Sequence, residues 1–245
     1  MKFISLILFF IHMTSVSYAE NKTITICSFE WPPHHGPKLK NGGYTAEIIR
    51  EIFEPQGYTI NKLFLPWQRA QSFAKEGKEC DAITEIYFNN ERLEWYWYGA
   101  PYVRHNVYVI ALKSHPVNAY KSLRDLTGYS FGHNRGASLG GKFDTADYLT
   151  KIATMGYTSG VKMLLKKRID FFVSAWSVAL YEAQQLGEHE KIQPIGPPLQ
   201  QQYVHMAFSK KNPENLLRLQ DYNQGLFSLM ESGKYHDIMK SHGFQ

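Results

Sequence analysis

Short apolar strands and amphipathic helices alternate along the first part of the chain. Residues 23–29, 58–65 and 81–86 carry the apolar and β-branched runs that are typical of strands. Between them, apolar side chains recur at helical spacing over residues 44–58 and 66–77. This alternation predicts an α/β fold in which helices cover a mostly parallel sheet.

The same alternation restarts beyond Pro101 and predicts a second α/β lobe. Strands are predicted over residues 107–112, 129–133, 170–173 and 203–209. Helices are predicted over residues 143–152, 159–165, 176–186 and 213–232. Ser159 is the expected N-cap of the second of these helices. Residues 194–202, rich in Pro and Gln, have the composition of a connector that leaves the second lobe.

Composition agrees with a compact protein of one large domain or two modest ones. The chain has 245 residues, of which 44% are hydrophobic and 20% charged, and this excludes a disordered or fibrous protein. The net charge of +5 comes without a long basic run, so the sequence gives no reason to expect nucleic acid as a partner.

The N-terminus has the pattern of a secretory signal peptide over residues 1–19. A basic start at Lys2 precedes an apolar run over residues 3–11, and small residues precede a cleavage point after Ala19. A retained membrane anchor is the alternative, but polar residues interrupt the apolar run well before the roughly 20 residues that a span needs. We therefore expect an exported, periplasmic protein.

The polar residues suggest little catalytic chemistry. Cys27 and Cys80 form a disulfide or remain two buried thiols, and the sequence leaves both open. His34 and His35 are adjacent, which predicts a solvated loop, and no group with metal-ligand spacing surrounds them. No nucleophile elbow or phosphate-binding loop is present in the sequence.

Several short motifs, in their order and spacing, resemble the extracellular solute-binding proteins of family 3, the periplasmic polar amino-acid-binding proteins of ABC transporters. The motifs are Trp31-Pro32-Pro33, the run from Asp81 through Arg92 to Pro101-Tyr102, Gly136-Ala137-Ser138, the segment 207–211, and the residues Asn223, Gly225, Leu226, Leu229 and Gly233. The resemblance implies the type II periplasmic-binding fold, in which hinge strands join two Rossmann-like lobes with mixed, mostly parallel sheets.

On this resemblance, lobe 1 would contain residues 20–107 and 205–245, and lobe 2 residues 108–204. Hinge crossings would fall near residues 103–108 and 199–205, and a small polar ligand would bind between the lobes.

Arg92 matches the arginine that pairs with the ligand carboxylate in this family. An ordinary ion pair with Glu91 or Glu94 is the alternative. Ala137 and Ser138 follow a strand and precede a helix, so the loop would meet an anionic group at the helix start or act only as a helix cap. Arg135 is a second cation that would face the cleft or solvent.

Thr84 and Glu85 occupy the segment that meets the ligand amine in the family. Glu85 departs from the family pattern and would attract an amine or neutralise Arg92 or Arg69. Trp31 matches an aromatic that stacks on the ligand, although it would equally suit the core.

The chain departs from the family pattern at one further position, where family members carry an aspartate a few residues after the strand that corresponds to residues 170–173. This chain has Ser174, Ala175 and Trp176 there, so either Glu85 substitutes or the ligand lacks an amine. Trp176 would add an aromatic wall or pack in the core. Arg69 belongs to a Trp-Gln-Arg-Ala motif that resembles one branch of the family and would point into or beneath the cleft.

The resemblance implies a periplasmic solute-binding protein that captures an amino acid or related carboxylate by lobe closure for an ABC-type importer. No catalytic residue, cofactor or metal is expected, and the expected partner of the monomer is an inner-membrane permease or receptor. Two alternatives stay open: an enzyme on the same scaffold, similar to cyclohexadienyl dehydratases, with Glu85 as its acid–base group, or a ligand-sensing module of a membrane receptor.

Overall fold

The computed structural model describes residues 22–244, which form nine strands and seven helices. The strands are β1 Lys22–Ser28, β2 Tyr58–Phe64, β3 Ala82–Tyr87, β4 Tyr96–Tyr98, β5 Val103–Leu112, β6 Ser130–Asn134, β7 Thr150–Thr154, β8 Phe171–Ala175 and β9 Ile192–Ser209. The helices are α1 Tyr44–Phe53, α2 Trp67–Glu76, α3 Gly141–Asp144, α4 Tyr157–Leu165, α5 Trp176–Gln185, α6 Asn215–Glu231 and α7 Lys234–Ser241. The predicted signal peptide lies outside the described residues.

Two long antiparallel strands, β5 and β9, run through both halves of the molecule. The strand order is β2-β1-β3-β9-β5-β8-β6-β7, and β4 pairs with β9. The first lobe therefore has the order β2-β1-β3-β9-β5, and the second repeats it as β7-β6-β8-β5-β9 with the two long strands exchanged. This confirms the predicted α/β class with two lobes joined by two strands.

The two long strands pass from one lobe to the other side by side, where residues 103–107 of β5 pair with residues 200–204 of β9. Strand β9 pairs with β3 of the first lobe from Val204 to Phe208, and β5 pairs with β8 of the second lobe from Val107 to Ile110. The lobe limits placed between residues 107 and 108 and between residues 204 and 205 stay a prediction.

The sequence predicted a connector at residues 194–202. These residues are instead part of strand β9. The pairing of β5 with β9 shifts register between the pairs Val107–Gln200 and Val109–Ile195. Pro197 and Pro198 lie in this bulge, where a proline without an N–H group is tolerated. The prolines therefore mark an irregularity in a strand and not its end.

The prediction of a helix over residues 143–152 is wrong. Helix α3 ends at Asp144, and residues 150–154 form strand β7. Phe143 and Leu149 contact the same apolar core, which produced the helix-like spacing, but Ile152 packs in a different one. Threonine and isoleucine at alternate positions of β7 favour a strand.

Two smaller differences concern helix ends. Helix α4 begins at Tyr157 after Gly156, so Ser159 lies inside the helix and is not its N-cap. Gly233, with a φ of 77°, separates α6 from the additional helix α7.

Each lobe has apolar cores on both faces of its sheet. In the first lobe, α1, α6 and α7 cover one face and α2 covers the other, where Ala70 and Ala74 are fully buried. In the second lobe, successive residues Phe171 and Phe172 of β8 enter opposite cores, as strand geometry requires. No helix within residues 22–244 has the length and apolar character to cross a membrane.

A disulfide bond joins Cys27 in β1 to Cys80, just before β3. Strands β1 and β3 are neighbours in the sheet, with Cys27 opposite Ile83, and the two cysteine Cα atoms are 5.6 Å apart. The bond therefore fastens two adjacent strands of the first lobe at the buried face under α2.

Candidate functional site

Two cavities open in the crevice between the lobes. The Arg92 cavity, about 580 Å³, has α2 and the turn around Arg92 on one side and residues 136–138 of the second lobe on the other. The Glu182 cavity, about 530 Å³, lies between the ends of β1 and β2 in the first lobe and residues 154–158 with Glu182 in the second. Both cavities are therefore formed by residues from the two lobes.

Arg92 is held in place by the short 3₁₀ helix of residues 90–94. The Asn89 side chain caps this turn by accepting a hydrogen bond from the Glu91 N–H at 2.8 Å. Arg92 is only 7% exposed, and its Nη1 donates to the Tyr87 carbonyl at 3.0 Å. Within residues 22–244 it forms no ion pair with an acidic side chain, so neither Glu91 nor Glu94 neutralises it. The guanidinium group thus keeps donors for a ligand.

Ala137 and Ser138 lie across the same cavity from Arg92, as the sequence predicted, but the loop is engaged differently. Asp144 accepts hydrogen bonds from the Ser138 hydroxyl at 2.9 Å and from the Leu139 and Gly140 N–H groups at 3.1 Å. Asp144 of α3 therefore engages the Ser138 hydroxyl, but the N–H groups that it accepts are those of Leu139 and Gly140 and not those of residues 136–138. The Ser138 hydroxyl thus takes part in the helix cap, which is one of the two roles that the sequence left open.

Trp67, the first residue of α2, separates the two cavities. Its indole Nε1 donates to the Gly136 carbonyl of the second lobe at 3.0 Å, and the Arg92 guanidinium carbon lies 5.6 Å from its ring centroid. Gln68 lines both cavities. Arg69 is exposed and lies outside both linings, so the structure does not bring it together with Arg92 in a site.

The Glu182 cavity combines aromatic walls with a few charges. Its aromatic residues are Phe29, Phe64, Trp67 and Tyr157. Arg135, a sequence-predicted site residue, lines this cavity and not the one around Arg92, and it is solvent exposed. The site residues predicted from the sequence therefore belong to two cavities, which the sequence did not distinguish.

Trp31 is 2% exposed and packs in a cluster that fills the hinge side of the crevice. Its ring lies 5.6 Å from Tyr87 and 5.0 Å from His105. The Tyr157 ring of the second lobe stacks on it at 6.2 Å. Trp31 lines neither cavity, so the structure assigns it the core role that the sequence left as an alternative and not the role of a stacking ligand contact.

His34 and His35 are buried, each 1% exposed, and the predicted solvated loop is wrong. The His34 ring stacks on His105 at 4.1 Å, and its Nε2 lies 2.9 Å from the Ser177 hydroxyl oxygen of the second lobe. Burial lowers the pKa of His34 well below its usual value and that of His105 to about 3. The imidazoles of His34 and His105 are therefore neutral. Although His34 and His35 are adjacent in the sequence, each side chain has its own buried partner.

Glu85 is also buried and faces neither an arginine nor a cavity, contrary to the expectation. Its Oε2 lies 3.2 Å from His35 Nδ1, which is also 2.7 Å from the Ser28 hydroxyl oxygen. Burial raises the pKa of the Glu85 carboxyl, and His35 opposes this effect. Thr84 is fully buried, and its hydroxyl pairs with the Tyr102 hydroxyl at 3.2 Å, so it too lies outside both cavities.

Ser174, Ala175 and Trp176 do not form a ligand wall. Ser174 and Ala175 are buried in β8, opposite Tyr108 and Val107 of β5. Trp176 begins α5 and packs against the second lobe's core. The residues that replace the family's aspartate are therefore structural here.

Three residues that define the crevice were not predicted as site residues from the sequence: Glu182, Trp67 and Tyr157. Trp67 belongs to the Trp-Gln-Arg-Ala motif, in which the sequence indicated a site role for Arg69 alone. Glu182 lies on the buried side of α5 with Val178, Ala179 and Ala183, and its position at a cavity follows only from the packing of α5 against α4.

The fold and the crevice define a class of two-lobed proteins that bind a solute between lobes. The chain matches the bacterial extracellular solute-binding proteins, family 3, over residues 26–245, and it belongs to that family. No curated protein sequence matches it.

Solved structures share the fold at low sequence identity. A histidine kinase sensor domain with similarity to periplasmic binding proteins has a TM-score of 0.80 at 20% identity, covering 90% of this chain and 96% of its own. A mutant of ArgBP from T. maritima has a TM-score of 0.76 at 17% identity, covering 89% and 94%. A histidine-bound substrate-binding protein of an ABC uptake transporter from Streptococcus pneumoniae has 0.75 at 20%, covering 90% and 92%. The fold is therefore the type II periplasmic-binding fold.

Proposed function

We propose that the protein captures a small solute with a carboxylate group, an amino acid or a related acid, in the crevice beside Arg92. One observation carries this proposal: a buried guanidinium group faces a cavity formed by both lobes and has no acidic partner within the described chain. A guanidinium fork matches a carboxylate with two hydrogen bonds, and low solvent exposure strengthens such charge-assisted bonds.

Lobe closure supplies the capture mechanism. Three contacts already join the lobes: Trp67 with Gly136, His34 with Ser177, and Trp31 with Tyr157. A ligand that contacts residues of both lobes binds the closed arrangement better than an open one, so it shifts the population towards closure. A membrane partner can then distinguish loaded from empty protein by shape.

The proposed partner is the permease of an ABC-type importer, and the proposed place of action is the periplasm, reached by cleavage of a signal peptide at residues 1–19. Family membership supports an extracytoplasmic solute-binding role. The similarity to a kinase sensor domain is a similarity of fold. Genetic tests that identify the membrane partner would distinguish a sensing role from transport. The enzyme alternative depended on Glu85, and this residue is paired with His35 outside both cavities.

A thermal-shift screen tests this function. Wild-type protein is screened against amino acids, dicarboxylates, polyamines and cyclic acids, and each hit is checked for recovery unchanged. Arg92→Ala should weaken binding of a carboxylate hit by about 10- to 100-fold, because a charge-assisted bond contributes roughly 1.5 to 3 kcal/mol. Arg69→Ala, an exposed arginine outside both cavities, is the matched control and should bind normally. Normal binding by Arg92→Ala, or conversion of the hit to a product, contradicts the proposal.

A further inference from the structure

Glu182 is a buried carboxylate that lacks a cation. It is 7% exposed, lies on α5 and lines the Glu182 cavity. Its only hydrogen-bond partner in residues 22–244 is the Thr158 hydroxyl, which donates to Oε2 at 2.7 Å, and no Lys, Arg or His there forms an ion pair with it. Burial raises the pKa of this carboxyl, whereas the Thr158 hydrogen bond and the charge of Lys162 act in the opposite direction. A carboxylate removed from water in this way is stabilised by a cation that enters the cavity.

The rest of the cavity suits the same kind of group. Trp67 and Tyr157 contribute aromatic rings, whose faces attract ammonium and guanidinium groups. The charged lining residues are Glu30, Glu182 and Arg135, which gives two negative charges against one positive charge and a net charge of −1. Arg135 and Glu30 are exposed at the rim, whereas Glu182 is buried, so the inner charge of the cavity is negative.

Among residues 22–244, the acidic residues of the second lobe that line the two cavities are Glu182 and Asp144. Glu85 of the first lobe lines neither cavity and is engaged by His35. Asp144, which lines the Arg92 cavity, is bound by Ser138 and by backbone N–H groups. Within the described chain, Glu182 is thus the second-lobe acidic group of the crevice that has a single hydrogen bond, from Thr158, and no ion pair.

We propose that the Glu182 cavity binds the cationic group of the ligand, an ammonium or guanidinium group, between the Glu182 carboxylate and the rings of Trp67 and Tyr157. This inference rests on the proposed function, because Arg92 holds the carboxylate of the same ligand in the neighbouring cavity. Gln68, which is exposed, lines both cavities, so a ligand that reaches Arg92 and Glu182 passes this side chain and carries its two charged groups at the ends of a spacer. The ligand class is therefore a zwitterion with a distal cation, such as a basic amino acid.

Isothermal titration with L-arginine and L-citrulline tests the inference, since the two probes share shape and carboxylate but only arginine has a charged side chain. Wild-type protein should bind arginine about 30-fold more tightly than citrulline, a difference typical of a charge-assisted bond. Glu182→Gln keeps the size of the side chain and should reduce this preference to less than about threefold. Glu190→Gln, an exposed glutamate with an 80% exposed side chain, is the matched control and should leave the preference unchanged.

The outcomes separate the two proposals. Equal affinities for arginine and citrulline, or an unchanged preference in Glu182→Gln, overturn the Glu182 inference while Arg92-dependent binding keeps the proposed function. Failure of both probes to bind wild-type protein overturns the inference, and the wider screen with Arg92→Ala then decides the proposed function. Circular dichroism checks that Glu182→Gln folds. If it does not fold, Trp67→Leu takes its place, because this variant removes an aromatic face from the same cavity and should also reduce the preference for arginine; an unchanged preference in that variant overturns the inference.

Discussion

The inner and outer parts of the interlobe crevice differ in how they are filled. The inner part, near the hinge, holds Trp31, His34 and His105 in mutual contact and is closed to solvent. The outer part has two cavities with Arg92 and Glu182 as buried charges. The motifs that resemble the family occur in both parts, whereas the Arg92 and Glu182 cavities both open in the outer part. Position in a motif therefore does not determine whether a side chain faces the ligand or the core.

Truncation of the inner cluster should produce the largest effect, and this effect should be on stability. Trp31→Ala removes a fully packed aromatic ring, so we expect the free energy of unfolding to fall by about 3 to 5 kcal/mol. Urea denaturation followed by circular dichroism measures this loss. Trp97→Ala, in the short strand β4 and partly exposed, is the control and should cost less. A loss below that of the control would show that the inner part is not tightly packed.

Acid should weaken the inner part through its histidines. His34 and His105 have pKa values lowered by burial, the latter to about 3, so below pH 6.5 the unfolded chain binds protons that the folded protein does not. Stability from these groups is complete above pH 6.5 and falls as the pH decreases. The slope is about 1.4 kcal/mol per pH unit for each histidine.

Urea denaturation at pH 7, 6 and 5 measures this slope in wild-type protein and in His105→Gln, which does not titrate. Tyr44 and Tyr87 bond the His105 ring and remain neutral, and Glu85, whose raised pKa favours the folded state at low pH, acts in the opposite direction. The variant should show a shallower dependence on pH. Equal slopes in both proteins would mean that His105 is protonated in the folded protein.

The contact between the two outer cavities should have the smallest effect. Trp67→Phe keeps an aromatic ring but removes the N–H donor to Gly136, a bond at 3.0 Å between the lobes. The closed state should lose about 1 kcal/mol, so ligand affinity should fall about fivefold. Trp97→Phe changes a tryptophan of β4 that lines neither the Arg92 cavity nor the Glu182 cavity and serves as the control. Equal affinities in the two variants would remove Trp67 from the closure mechanism.

The sequence predicted most strands and helices because period-2 and period-3.6 patterns reflect one-sided burial. It failed at residues 150–154, where a single helical turn followed by irregular chain imitated a longer helix, and at residues 194–202, where prolines occupy a bulge. These errors arise from tertiary pairing, which overrides local composition.

The site was predicted in part. Arg92 and Ser138 line the same cavity, as expected. The fold determines this arrangement, because Arg92 follows the end of β3 in the first lobe and Ser138 follows the end of β6 in the second. Glu85 and His35 were misjudged because each satisfies the other in the interior, a pairing of residues 50 positions apart. Glu182 was missed because nothing in a helical pattern identifies which polar residue faces a neighbouring lobe.

A crystal structure of the protein with its bound ligand tests the central claim most directly. We expect a ligand carboxylate oxygen within about 3 Å of an Arg92 nitrogen, in the outer crevice, with the inner cluster around Trp31 unchanged. A ligand seated instead among Trp31, His34 and His105, with Arg92 still bonded only to protein, would contradict the division of the crevice into a filled inner part and a binding outer part.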